Sequence, residues 1–225
     1  MNPPSPAYSN VLQTLLNAAA RLGRPPARLL AVSKTQPADA VAALAAQGQR
    51  AFGENYVQEG VAKTQALAAL GLEWHLIGHL QSNKCQDAAT HFDWVQSLDR
   101  EKLVAALARA RPVDRPPLNV LIQVNVDGEA SKSGCAPGAV MVLADAVAAQ
   151  PRLRLRGLMA IPEPHPDLAR RRASFQRVAA IYGQLRAMYP GVDTLSLGMS
   201  EDYALAVEEG ATMVRIGSLL FGKRQ

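Results

Sequence analysis

Apolar residues fall into two rhythms along this chain. Short runs of strand-forming residues alternate with longer stretches whose apolar positions lie three and four apart, the spacing of a helix with one buried face. A leading helix is read over residues 8–22, where Val11, Leu15, Ala18, Ala19 and Leu22 share a face, and Gly23, Pro25 and Pro26 end it. The run Leu29-Leu30-Ala31-Val32 then leads into Ser33-Lys34-Thr35-Gln36-Pro37, and Pro37 suits the first position of a helix over 38–47. A short strand at 50–53 precedes a helix running to about residue 70. The alternation continues with strands at 73–77, 92–96, 118–124, 153–159, 194–197 and 212–216. Helices at 82–91, 100–111, 137–150, 169–189 and 201–209 follow the first five of these, and a short helix follows the last.

Eight strands, each followed by a helix, read as repeated βα units around a parallel sheet. Eight units in 225 residues fit a closed (β/α)8 barrel of TIM type with an extra N-terminal helix. An open doubly wound sheet is the alternative, but no GxGxxG opens the first βα unit. Residues 1–225 are therefore read as one domain, with the polar, proline-rich residues 1–6 expected to be disordered.

Composition narrows the class. Hydrophobic residues make up 48% and charged residues 19%, an ordinary soluble balance. The net charge of +5 includes no block of five like charges, so nucleic acid is not an expected partner. The densest basic run, Arg170-Arg171-Arg172, reads as the solvated start of a helix. No apolar run is long enough to span a bilayer, and the N-terminus carries no signal-peptide pattern. Cys85 and Cys135 form no CxxC pair and read as two unpaired thiols of a reducing compartment, so the cytoplasm is the expected location.

Barrel sites lie at the carboxyl ends of the strands. There the sequence places Lys34 after strand one, Asn55 after strand two, His79 after strand three, Asn125 after strand five and Met159 at the end of strand six. Gly198-Met199-Ser200-Glu201-Asp202 follows strand seven, and Gly217-Ser218 follows strand eight, with Arg215 inside that strand. A lysine desolvated in a pocket loses its proton more readily and attacks carbonyls, whereas one at the rim is merely solvated. Glycine and serine before a helix suit a phosphate cradle, though each serine could equally be a simple N-cap. Closure of the barrel sets strand eight beside strand one, hence the cradle beside Lys34. A phosphate near such a lysine suggests a phosphorylated aldehyde held as a Schiff base, of which pyridoxal 5′-phosphate (PLP) is the common one. Arg215 would then reach the ring nitrogen, or else pair with a rim carboxylate. His75 reads equally as a satisfied buried histidine. His79 has no companions at metal-ligand spacing, so no metal is expected.

Several segments resemble the pyridoxal phosphate homeostasis proteins. They are Ala31-Val32-Ser33-Lys34-Thr35, Phe52-Gly53-Glu54-Asn55-Tyr56-Val57-Gln58-Glu59 and Trp74-His75-Leu76-Ile77-Gly78-His79-Leu80-Gln81-Ser82-Asn83-Lys84. Gln123-Val124-Asn125 with Glu129, Lys132 and Gly134, and Gly157-Leu158-Met159, continue the match. Ser196-Leu197-Gly198-Met199-Ser200-Glu201-Asp202 and Arg215-Ile216-Gly217-Ser218 with Phe221-Gly222 complete it. The resemblance implies a PLP-binding barrel similar to the N-terminal domain of alanine racemase. It implies that Lys34 forms the Schiff base, that Ser200, Gly217 and Ser218 hold the phosphate, and that Arg215 faces the ring nitrogen. Asn55 and Met159 would line the pocket, with His79 as a further candidate and Lys132 as a transient second amine. The implied role is intracellular PLP homeostasis, holding the cofactor and supplying it to PLP-dependent apoenzymes without robust turnover. A minimal fold-type III enzyme such as an amino-acid racemase is the alternative. The racemase's β-rich second domain, which supplies its tyrosine base and its dimer contacts, has no counterpart in these 225 residues, so a monomer is expected.

Overall fold

The computed structural model describes residues 5–129 and 132–222. Its eight parallel strands close into a barrel in sequence order. They are β1 (Arg28–Val32), β2 (Ala51–Glu54), β3 (Glu73–Leu76), β4 (Trp94–Leu98), β5 (Leu118–Val124), β6 (Leu153–Ala160), β7 (Thr194–Ser196) and β8 (Met213–Ile216). Around them pack α1 (Pro6–Leu22), α2 (Ala38–Ala46), α3 (Val57–Ala66), α4 (Cys85–His91), α5 (Glu101–Ala110), α6 (Val140–Ala148), α7 (Leu168–Met188), α8 (Tyr203–Glu208) and α9 (Ser218–Phe221). This is the (β/α)8 barrel with a leading helix that the hydrophobic rhythm predicts.

The ends differ from the reading by up to four residues. The helix expected to run to residue 70 stops at Ala66 and resumes as a 3-10 turn at Ala68–Leu70. Pro37 stands just outside α2, as its cap residue. Within the segment expected to be disordered, Pro6 opens α1 and Ser5 caps it by accepting from the Tyr8 N–H at 3.3 Å. Residues 1–4 lie outside the described residues.

Alternation along each strand sorts side chains between two cores. Leu29 and Ala31 of β1 face the helices and join the large shell between barrel and helix layer. Leu30 points inward and packs with Ala51 and Met213. A second inner cluster joins Trp94, Leu121 and Met159, against which Ile161 packs. Between these apolar groups the barrel interior is polar, with His75, Gln96, Ser196 and Arg215 all buried. Closure puts β8 directly beside β1, with Leu30 opposite Arg215 and Ala31 opposite Ile216. The loops after β7, β8 and β1 are therefore neighbours.

Candidate functional site

A cavity of about 310 Å³ opens at the carboxyl ends of the strands. That is enough for a small cofactor. Lys34, Asn55, Ser200, Arg215, Gly217 and Ser218 all line it. Its apolar walls are Val32, Ile77 and Ile161.

Each polar group is placed by its own local structure. Lys34 lies two residues beyond β1 in a turn closed by the Gln36 N–H donating to the Ser33 carbonyl at 3.0 Å. Thr35 follows with φ 65°, a left-handed conformation that costs a β-branched residue about 1–3 kcal/mol. Its N–H donates to Glu59 at 2.6 Å, which holds it there. The loop after β7 bends at Gly198, whose φ is +91°. A Cβ at Gly198 would stand 2.5 Å from Ala206 Cβ, so glycine alone lets the loop close against α8. The Gly198 carbonyl accepts the Arg215 N–H at 3.0 Å, which ties that loop to β8.

Neither candidate serine acts as a helix cap. The cap positions of α8 and α9 are Asp202 and Gly217, and no side chain bonds there as a cap. Ser200 and Ser218 both stand among the residues that line the cavity. Arg215 is only 4% exposed. Its Nη1 donates to Ser196 Oγ at 2.9 Å and its Nη2 to the Ala160 carbonyl at 2.8 Å. Burial pushes its pKa down to about 10, with Asp202 pulling the other way, so it stays charged at neutral pH.

Two candidates lie elsewhere. Met159 is fully buried beneath the cavity, packed with Trp94 and Leu121, so it forms part of the floor's support and not of the wall. His79 is exposed, with Nδ1 3.1 Å from Ser133 Oγ, and lines two smaller neighbouring cavities. One of these, about 200 Å³, also takes in Lys132, and it shares Asn55, Ile77 and Ile161 with the main cavity. Lys132 is ion-paired to Glu129 at 2.5 Å. Among the described residues no group of three His, Cys, Asp or Glu could hold a metal ion.

Arg171 is the residue that periodicity misses. Read as part of a solvated basic run, it instead lines the cavity from α7. Its Nη2 donates to the His165 carbonyl at 2.7 Å. Only the fold of residues 161–167 over the barrel mouth brings it there. Its neighbour Arg172 pairs with Glu208 and Glu209.

An amine, a cluster of serine and glycine at two loop ends, and a fixed cation about one small cavity suit an aldehyde that carries a phosphate and an aromatic nitrogen. Comparison with known proteins points the same way. The alanine racemase N-terminal domain family matches residues 9–225. The pyridoxal phosphate homeostasis protein of Escherichia coli K12 is 50% identical over all of this chain and 98% of its own. That of Pseudomonas aeruginosa is 53% identical over 96% of this chain and 94% of its own. PipY of Synechococcus elongatus, solved with PLP bound, superposes with a TM-score of 0.81 at 37% identity, covering 93% of this chain and 99% of that one. With this much shared along nearly its whole length, the chain belongs to the pyridoxal phosphate homeostasis protein family, on the alanine racemase N-terminal domain fold.

Proposed function

We propose that this protein binds PLP in the cavity at the barrel mouth and holds it through Lys34 for supply to PLP-dependent apoenzymes, without robust turnover. The observation that carries this reading is the meeting of Lys34, Ser200, Gly217, Ser218 and Arg215 around one 310 Å³ cavity. When bound, PLP would supply an aldehyde that condenses with the Lys34 amine with loss of water, a link that other amines can displace. The chain's own residues do the rest. Ser200, Ser218 and the backbone at Gly217 bind the phosphate, Arg215 donates to the ring nitrogen, and Val32, Ile77 and Ile161 exclude water from the ring faces. Asn55 completes the wall on the side of the His79 and Lys132 cavity. Lys132, close by, is the candidate second amine during loading or release.

An amino-acid racemase is the competing reading, and the family match lends it weight. Against it, the titratable groups lining the cavity among the described residues are Lys34, Arg171, Arg215, Glu201 and Asp202. No tyrosine, histidine or cysteine lines it to serve as a second base near neutral pH. No helix among the described residues is long and apolar enough to cross a membrane. Cys85 and Cys135 are both free thiols, which supports a reducing compartment, and we propose that the protein acts in the cytoplasm as a monomer.

The test is to load the purified protein with PLP, reduce with borohydride and map the adduct by mass spectrometry. Reduction should abolish the visible band of the bound cofactor and leave the adduct on Lys34. Failure to take up PLP, or an adduct on Lys84 or Lys132 instead, overturns the reading.

A further inference from the structure

Arg215 does not end at Ser196. Behind it runs a chain of hydrogen bonds through the barrel interior to the opposite face. Ser196 Oγ donates to Gln96 Oε1 at 2.7 Å. Gln96 Nε2 lies 2.9 Å from His75 Nδ1, and His75 Nε2 lies 2.6 Å from Glu73 Oε1. Arg28 closes the far end on Glu73 at 2.7 Å. Ser196, Gln96 and His75 have no solvent exposure beyond rounding.

The donors and acceptors fix one another. Arginine can only donate, so Ser196 Oγ accepts from it and turns its own proton to Gln96 Oε1. The amide N–H of Gln96 then faces His75, whose Nδ1 must be bare. The ring proton therefore sits on Nε2 and points at Glu73. Turning the amide over would strand the Ser196 proton and set a bare Nε2 against a carboxylate, unless the ring carried both protons. Burial opposes that charge and pushes the His75 pKa down, against the pull of Glu73. Trp94 holds the ring plane, stacked at 5.0 Å and 12°.

We propose that Gln96 and His75 are positioning residues for Arg215, aiming its guanidinium at the ring nitrogen of PLP through Ser196. This rests on the PLP reading above. A long arginine side chain has many rotamers, and the two bonds to Ser196 and Ala160 select one. Gln96 and His75 keep the Ser196 lone pair turned toward Arg215. Without them the hydroxyl rotates and the guanidinium loses one of its two anchors.

The test compares binding of PLP with binding of its analogue carrying C–H in place of the ring nitrogen. Both keep the aldehyde and the phosphate. Wild-type protein should prefer PLP by about ten- to a hundredfold, the share of one hydrogen bond to a charged group. Gln96→Met and His75→Phe, both near-isosteric, should each cut that preference by about five- to tenfold, roughly one neutral hydrogen bond. Leu121→Ala, which opens the neighbouring apolar cluster and leaves the chain intact, should lose stability but keep the preference. Nitrogen-15 NMR of the unmodified protein gives a second measurement that needs no variant to fold, and it should show the His75 proton on Nε2. Folded Gln96→Met and His75→Phe proteins with the wild-type preference overturn the proposal, and so does a His75 proton on Nδ1. Equal wild-type affinity for both ligands removes the role of Arg215 at the nitrogen. Failure of wild-type protein to bind either ligand defeats the PLP reading itself, and this inference with it.

Discussion

Lys63, on the outer side of the barrel, fixes the loop on which Lys34 stands. It is 6% exposed, and its Nζ donates to the Ser33 carbonyl at 2.7 Å, to Glu54 at 2.8 Å and to Glu59 at 2.7 Å. Glu59 in turn takes the Thr35 N–H, so both neighbours of Lys34 are tied to one buried ion cluster. Burial pushes the Glu54 carboxyl up from its usual value, while Lys63 and Ser33 hold it down. Its Oε2 has no hydrogen-bond partner among the described residues. Removing the lysine charge therefore leaves a buried carboxylate uncompensated. Lys63→Met should destabilise the fold by about 3–5 kcal/mol at pH 7, measured by urea unfolding. The pH dependence has a definite sign. In the variant Glu54 binds its proton more tightly folded than unfolded, so the folded state takes up that proton first as pH falls. The deficit relative to wild type is then full at neutral pH and shrinks as pH falls toward the ordinary carboxyl value. A loss under about 1 kcal/mol, the scale of an exposed pair, or one that does not change with pH, would show that the cluster is solvated.

Among the elements, β6 carries the irregularity that shapes the cavity floor. Opposite β5 its pairing jumps from Val120–Leu155 to Leu121–Gly157, leaving Arg156 as the extra residue. Gly157 has φ +145°, and a Cβ there would meet the Thr194 carbonyl at 1.9 Å. Just beyond it come Met159 and the Ala160 carbonyl that anchors Arg215. Gly157→Ala should therefore destabilise by about 3 kcal/mol or more through overpacking and strain, and weaken PLP binding through a displaced floor. Gly183→Ala on α7, where a Cβ meets nothing within 4 Å, should be neutral or gain up to about 1 kcal/mol. Equal melting temperatures for the two variants would refute this account. The bulge also marks where sequence reading stops. Leu153-Arg154-Leu155-Arg156 alternates like any strand, and nothing local signals that Arg156 is an extra residue. Strand order and closure were legible, because eight apolar runs each precede a helical stripe, and eight such βα units fit a closed barrel. Closure alone set Ser218 beside Lys34. Met159 was legible as a strand end, but not as one layer too deep, because that depends on stagger between strands. His79 and Arg171 depend on where loops fold, and Lys63 looks like any helix lysine until Glu54 is seen facing it.

Taken as a whole molecule, the barrel is open at one end and tied at the other. At the closed end Arg28 and Glu73 terminate the polar chain, and Arg156 lies 4.6 Å over the Trp94 ring. At the open end stand the cavity and its cations. This asymmetry bears on whether the protein turns amino acids over or hands its cofactor on. If PLP is held through Lys34 as proposed, an amine entering from solvent would displace the lysine from the aldehyde with no further help from the protein. Chemistry at Cα of an amino acid needs more: removal of its proton needs a strong electron sink, and inversion needs in addition a base on each face. Arg215 is charged at neutral pH, and in the proposed complex it would donate a hydrogen bond to the ring nitrogen without yielding its proton, which would leave the ring a weak sink. The remaining ionisable residues of the wall are Glu201, Asp202 and Arg171, and no tyrosine, histidine or cysteine stands among the described residues that line it. Loaded protein in heavy water should therefore exchange bound PLP with added amines and pass it to an apoenzyme, while L-alanine keeps its Cα hydrogen. Mass spectrometry of the recovered alanine and chiral chromatography read the two channels separately. Deuterium incorporation or D-alanine formation at ordinary enzyme rates, on the order of 1–1000 per second, would make this an enzyme and overturn the carrier reading. Replacing Arg215 with glutamate raises the proton affinity of the ring nitrogen and so strengthens the sink. It supplies no second base, so alanine should still keep its configuration in that variant.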